Sequence, residues 1–119
     1  MATTSYMFDR NKLRYHTVQI ANAATDSDII QLPAETIVAV MIPVAHTNAT
    51  LALHGSIDGT NFYALKEKDG TAVAITTATS TGFYKLSPSL TDGVPYVKLV
   101  SGGAEGAQRN ITLLVASYK

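Results

Sequence analysis

The chain has 119 residues, of which 46% are hydrophobic and only 15% charged, with nine Lys and Arg set against nine Asp and Glu. That length suits one domain able to hide roughly two thirds of its unfolded surface. The balanced charge gives no footing for nucleic acid or an anionic membrane, and the absence of cysteine removes disulfides, thiolate metal sites and cysteine nucleophiles.

Residues 1–15, MATTSYMFDRNKLRY, have weak periodicity but carry Tyr6, Met7, Phe8 and Tyr15 beside the basic Arg10, Lys12 and Arg14. Disordered segments are poor in aromatics. The stretch therefore reads as an extended N-terminal arm that orders itself on a partner, with Tyr6, Met7, Phe8, Arg10, Arg14 and Tyr15 as contact residues. It lacks the basic start and apolar run of a secretion signal.

From residue 16 to 119 the text is short β-like runs, rich in Val, Ile, Thr and Tyr, divided by turn signals. The runs cover 16–21, 28–32, 35–45, 49–57, 61–67, 71–77, 82–87, 94–100 and 110–118. No stretch keeps a helical period, and no parallel βαβ alternation occurs. Eight or nine such strands predict an all-β domain, an antiparallel β-sandwich or barrel. The longest apolar run, 37–45, is too short to span a bilayer as a helix.

That run breaks the usual alternation. Val38, Val40, Ile42 and Val44 form a natural core stripe, yet Ile37, Ala39, Met41 and Pro43 are apolar too. Two readings stand side by side: a bulged strand partly covered by a loop, or a second face, with Ile37 and Met41, covered by a neighbouring subunit.

Sites of chemistry are scarce. His16, His46 and His54 show no metal-ligand spacing, whereas zinc needs three or four converging ligands. The Gly-x-Ser-x-Gly nucleophile motif is absent. Asp58 lies near His54, but Asp-Gly recurs at Asp58-Gly59, Asp69-Gly70 and Asp92-Gly93, each between β-like runs. The glycine accepts a positive φ and the aspartate bonds its own backbone, so these pairs are turn grammar. The hairpin register after Asp58 stays open. A loop over 57–59 would pair Leu53 with Tyr63; a loop over 58–59 would set Phe62 opposite Gly55, and the choice decides which aromatic faces outward. The glycine-rich stretch 101–110 reads as a mobile hairpin tip. No catalytic residue, cofactor or metal is assigned.

The run LALHGSIDGTNFYAL (51–65), followed by GFYKL and VPYVKLV, resembles a pattern in small β-sandwich virion proteins of tailed bacteriophages, notably capsid decoration or cement proteins. Leu51, Leu53, Ser56, Asp58, Gly59, Phe62, Leu65, Tyr84, Tyr96, Val97 and Leu99 carry it, over roughly residues 49–118. The resemblance implies a jelly-roll-like sandwich of about eight strands, with no catalytic residues. It also implies a homo-oligomer, dimer or trimer, on the exterior of the virion and bound to the major capsid protein after assembly in the host cytoplasm. The other reading is a tail-associated or carbohydrate-binding module, for which Tyr63, Tyr84 and Tyr96 are the stacking candidates.

Overall fold

Alternating side chains make strands when one face finds a core, and nine such strands form in the computed structural model, which describes residues 13–117. They are β1 (Leu13–Ile20), β2 (Ile30–Gln31), β3 (Glu35–Ile42), β4 (Leu51–Ser56), β5 (Tyr63–Ala64), β6 (Ala74–Ile75), β7 (Gly82–Lys85), β8 (Tyr96–Ser101) and β9 (Arg109–Ser117). One sheet runs β1-β9-β3-β7 and the other β2-β8-β4-β5, with β6 also on β4. Every pairing is antiparallel.

The pairings are nested. β1 takes β9, β2 takes β8, β3 takes β7, and β4 takes β5 and β6. Successive strands from β1 to β4 alternate between the sheets. This is the strand order of a jelly roll, a long hairpin rolled into two layers. The antiparallel sandwich expected from the runs and turns is the fold found.

Between the layers, Val18, Ile20, Ile37, Val40, Ile42, Ile111, Leu113 and Val115 from the first sheet meet Ile30, Leu51, Leu53, Val97 and Leu99 from the second. Cross-strand register puts like with like, as in Val18 opposite Ile111 and Val40 opposite Leu113. Each such buried side chain contributes about 1.5–3 kcal/mol relative to exposure.

The first expectation for 37–45 holds and the second fails for Ile37. The register of β3 on β9 shifts between Ile37 and Ala39. This bulge adds one residue, so the alternation changes phase. Ile37, expected on an outer face against a partner, is fully buried in the chain's own core. Met41 turns outward, Ala39 on the same face is buried, and Val44, expected in the core, lies past the strand and is exposed. A loop holds the bulge. The buried Thr91 Oγ1 accepts the Ile37 N–H at 2.8 Å and lies 2.7 Å from Thr36 Oγ1, while Leu86 N–H donates to the Val38 carbonyl.

The arm boundary also moves. Leu13, Arg14 and Tyr15 pair with Ala116, Val115 and Leu114 of β9, so the last two expected arm contacts belong to the sheet. Tyr6, Met7, Phe8 and Arg10 lie outside the described residues.

Candidate interaction surface

On the outer face of the β1-β9-β3-β7 sheet, register sets residues in rows. One row is Tyr15, Leu114, Ala39 and Lys85; the next is Thr17, Thr112, Met41 and Phe83. Tyr15 is 76% exposed, Phe83 58% and Met41 37%. Two of the expected interface residues, Tyr15 and Met41, thus share one face through strands that are not adjacent. Phe83 was missed, although the GFYK run carried a signal: its inner residue is Tyr84. That tyrosine, a stacking candidate in the sequence, packs against the core and donates its hydroxyl to the carbonyls of Thr77 and Ser80.

Arg14 points to the other face. Its Nε donates to Glu35 Oε2 at 2.7 Å, and its Nη2 makes a second contact with the same oxygen. Glu35 is buried. The basic charge expected to reach a partner is engaged within the chain.

Among the described residues no cluster of His, Asp and Glu is placed to hold a metal ion. His54 stands opposite Lys98 on β8, and Lys98 Nζ reaches Asp26 Oδ2 at 2.7 Å while lying 4.7 Å over the Phe62 ring. Burial, with Lys98 nearby, holds the His54 imidazole below its usual pKa. The Lys98 hydrogen bond lowers the Asp26 carboxyl. A partly exposed pair of this kind contributes about 0–1 kcal/mol.

Asp58 is a turn residue by geometry as well as by pattern. Its Oδ1 accepts the backbone N–H groups of Thr60 and Asn61 and the Ser56 hydroxyl, and its Oδ2 accepts Asn61 Nδ2. Those donors, the Asn61 and Thr60 amides first, hold the carboxyl far below the carboxylate range. Gly59, Gly70 and Gly93 all have positive φ, as the three Asp-Gly turns require. The loop that Asp58 builds runs longer than either expected register. Gly55 pairs with Tyr63 and His54 with Ala64. Tyr63 is therefore the exposed aromatic, and Phe62 is half-buried under Lys98.

The 101–110 loop, expected to be mobile, is anchored by Glu105. Its backbone N–H donates to the Ala24 carbonyl, and its own carbonyl accepts Ala23 N–H. The buried carboxylate accepts Thr47 N–H at 2.8 Å, Ser101 Oγ at 2.6 Å, Asn48 Nδ2 at 3.1 Å and Arg109 Nε at 3.0 Å. Burial pushes this carboxyl up, but the hydrogen bonds win and bring it down to about 2. His46 Nδ1 sits 3.9 Å from the carboxylate, and burial keeps that imidazole below its usual pKa. The cluster ties the 101–110 loop to the loops that carry Ala24 and Thr47. In the sequence its one signal was a lone acid among glycines, four residues before an arginine.

No protein-family model matches this chain, and no curated protein matches its sequence.

Proposed function

We propose that this chain is a structural virion protein of a tailed bacteriophage, of the capsid decoration type, which binds the lattice of the major capsid protein. The observation that carries the reading is the exposed band of Tyr15, Met41 and Phe83 on the outer face of the β1-β9-β3-β7 sheet. Apolar area of this kind marks protein contact, and the sparse, balanced charge suits a surface covered by other protein. The resemblance of residues 49–118 to phage sandwich proteins supplies the partner. An oligomer touching several capsid subunits gains effective concentration with each contact, so modest individual contacts hold it in place. The reading assigns no catalysis and no cofactor.

The test is co-sedimentation with capsids encoded in the same genome, alongside mass spectrometry of purified particles. The wild-type chain is expected in both. A Met41→Lys, Phe83→Lys double variant is expected to fold with a stability change within about 0.5 kcal/mol and to stay in the supernatant. Undiminished binding by that variant, or particles without the chain, would overturn the reading.

A carbohydrate-binding role is favoured by one feature. Tyr63, 74% exposed, lines a groove of about 420 Å³ with Ile57, Val94 and Pro95. An open tyrosine can stack on a sugar ring, yet Asp58 and Asn61 at the rim already bond each other. Specific glycan-array binding lost in Tyr63→Ala would promote this reading over the first.

A further inference from the structure

The three Asp-Gly turns carry the same pair of reacting groups but do not hold them equally. The backbone nitrogen that follows an aspartate can attack its side-chain carboxyl carbon, and glycine, with no Cβ, leaves that approach open. Two of the turns restrain both groups. The Asp58 carboxylate is tied by Ser56, Thr60 and Asn61, and Gly59 N–H donates to Ser56 Oγ at 2.9 Å. Asp69 Oδ1 accepts Thr71 N–H at 2.9 Å, and Gly70 N–H donates to the Glu67 carbonyl at 2.8 Å. The same bonds, from Asn61 and Thr60 at Asp58 and from Thr71 at Asp69, lower both carboxyls and make the attackable acid form scarcer. The third turn restrains neither group. Asp92 and Gly93 are exposed, and among the described residues the Asp92 carboxylate has no donor and Gly93 N–H no acceptor.

We propose that Asp92 is a site of spontaneous isoaspartate formation in the folded chain, while the turns at Asp58 and Asp69 protect those residues. The proposal goes beyond the function above and does not depend on it. Gly93 N bonds to Asp92 Cγ, and the carboxyl hydroxyl leaves with the amide proton as one water, closing a succinimide ring. A second water reopens the ring. Attack at Cγ restores aspartate; attack at the backbone carbonyl leaves the chain running through the side chain, one methylene longer. No oxidant or cofactor enters either step. The added carbon falls inside a turn that matters to the fold. Val94 N–H donates to the Thr91 carbonyl at 3.1 Å and closes the chain over Asp92-Gly93. Thr91, next to Asp92, is fully buried and accepts the Ile37 N–H at the β3 bulge. A longer turn breaks the Val94 bond and pulls on that clamp, so a surface reaction reaches a buried amide in the other sheet.

The test stores the full chain at neutral pH for weeks, folded in buffer and unfolded in urea, and maps isoaspartate by peptide mass spectrometry and methyltransferase labelling. An isoaspartyl peptide keeps the parent mass and elutes apart from it. In urea the three Asp-Gly pairs are expected to react alike. In the folded chain Asp92 is expected to keep its urea rate, while Asp58 and Asp69 fall several-fold below theirs. Hydrogen exchange on the stored folded sample is expected to quicken at the Val94 and Ile37 amides as the Asp92 product accumulates. Asp92→Glu, whose ring would need one more atom and closes far more slowly, is expected to keep both amides protected over the same storage. Equal yields at the three sites in the folded chain, or an Asp92 rate that falls with folding as far as the other two, would overturn the proposal. Asp92 product with unchanged exchange at Ile37 would overturn the reach to β3. The wild-type comparison needs no substitution, so the result stands whether or not the variant folds.

Discussion

Glu105→Gln is expected to destabilise the chain by about 3 kcal/mol at pH 7. The folded carboxyl titrates at about 2 against an ordinary 4.5. At about 1.4 kcal/mol per tenfold, that difference is roughly 3 kcal/mol of stability linked to one proton. Removing one partner of a buried pair gives a similar figure, about 3–5 kcal/mol. The amide of glutamine would turn a donor toward Arg109 Nε or Asn48 Nδ2, which already donate to the site. Because the folded pKa is depressed, the contribution is complete above pH 4.5 and is lost as pH falls toward 2. Urea unfolding at pH 7 and pH 3 measures both the size and the slope. A thermal midpoint lower by about 12 °C at pH 7 is the equivalent shift for a domain of this size. The gap between wild type and variant should narrow at the lower pH. A loss under about 1 kcal/mol, or a gap that does not change between the two pH values, would refute the idea that Glu105 is a charged clamp.

Gly55→Ala is expected to cost about 1–3 kcal/mol by overpacking, since a Cβ there would come 2.7 Å from Val94 Cγ1 and 2.9 Å from Leu65 Cδ2; denaturant midpoints measure it. Thr91→Val leaves the buried N–H of Ile37 without its acceptor, for an expected loss of about 1–3 kcal/mol in the same assay. Asp58→Ala is expected to speed amide exchange at Thr60 and Asn61, which lose their acceptor, with little change at Leu51 and Leu53. Below pH 6.5 the buried His46 weakens the fold, because its lowered pKa means the unfolded chain takes up the proton first; a His46→Gln variant should show a shallower loss of stability between pH 6.5 and 5.

The strands and the three Asp-Gly turns were legible because their causes are local. Period-two alternation selects a face, and glycine at positive φ selects a turn. A bulged strand was one of two readings of the doubly apolar run 37–45, but the place of the bulge, between Ile37 and Ala39, was not legible, because what holds it is Thr91, far along the chain, which takes up the Ile37 N–H. The β4–β5 register failed for a smaller reason. Asp-Gly suggested a tight turn, but the Asp58 carboxylate also captures Thr60 and Asn61 and so lengthens the loop. Glu105 looked like a flexible-loop residue because its partners arrive from Thr47, Asn48 and Ser101, which only the fold brings together. The outer band was half legible. Tyr15 and Met41 stood out as apolar residues in odd places, and Phe83 joined them only once β7 lay beside β3.

The nesting of the strands also sets an order of events during synthesis. β9 lies between β1 and β3, so the middle of one sheet is supplied by Arg109–Ser117. Until that segment leaves the ribosome, β1 and β3 have no common neighbour, and their apolar faces wait uncovered. The inner pair, β4 with β5, closes a short loop and can form early, whereas β1 with β9 closes the longest and comes last. A chain stalled before residue 109 would thus present two long unsatisfied strands to its neighbours. The same adjacency offers a remedy. Leu13 faces Ala116, so a short linker could join the ends of the sandwich. New ends could be opened at the Gly70 turn, where a glycine Cβ would meet nothing within 4 Å. In such a permutant the long-range closure between β1 and β9 becomes a local hairpin, and the slowest pairing of the natural chain becomes one of its quickest.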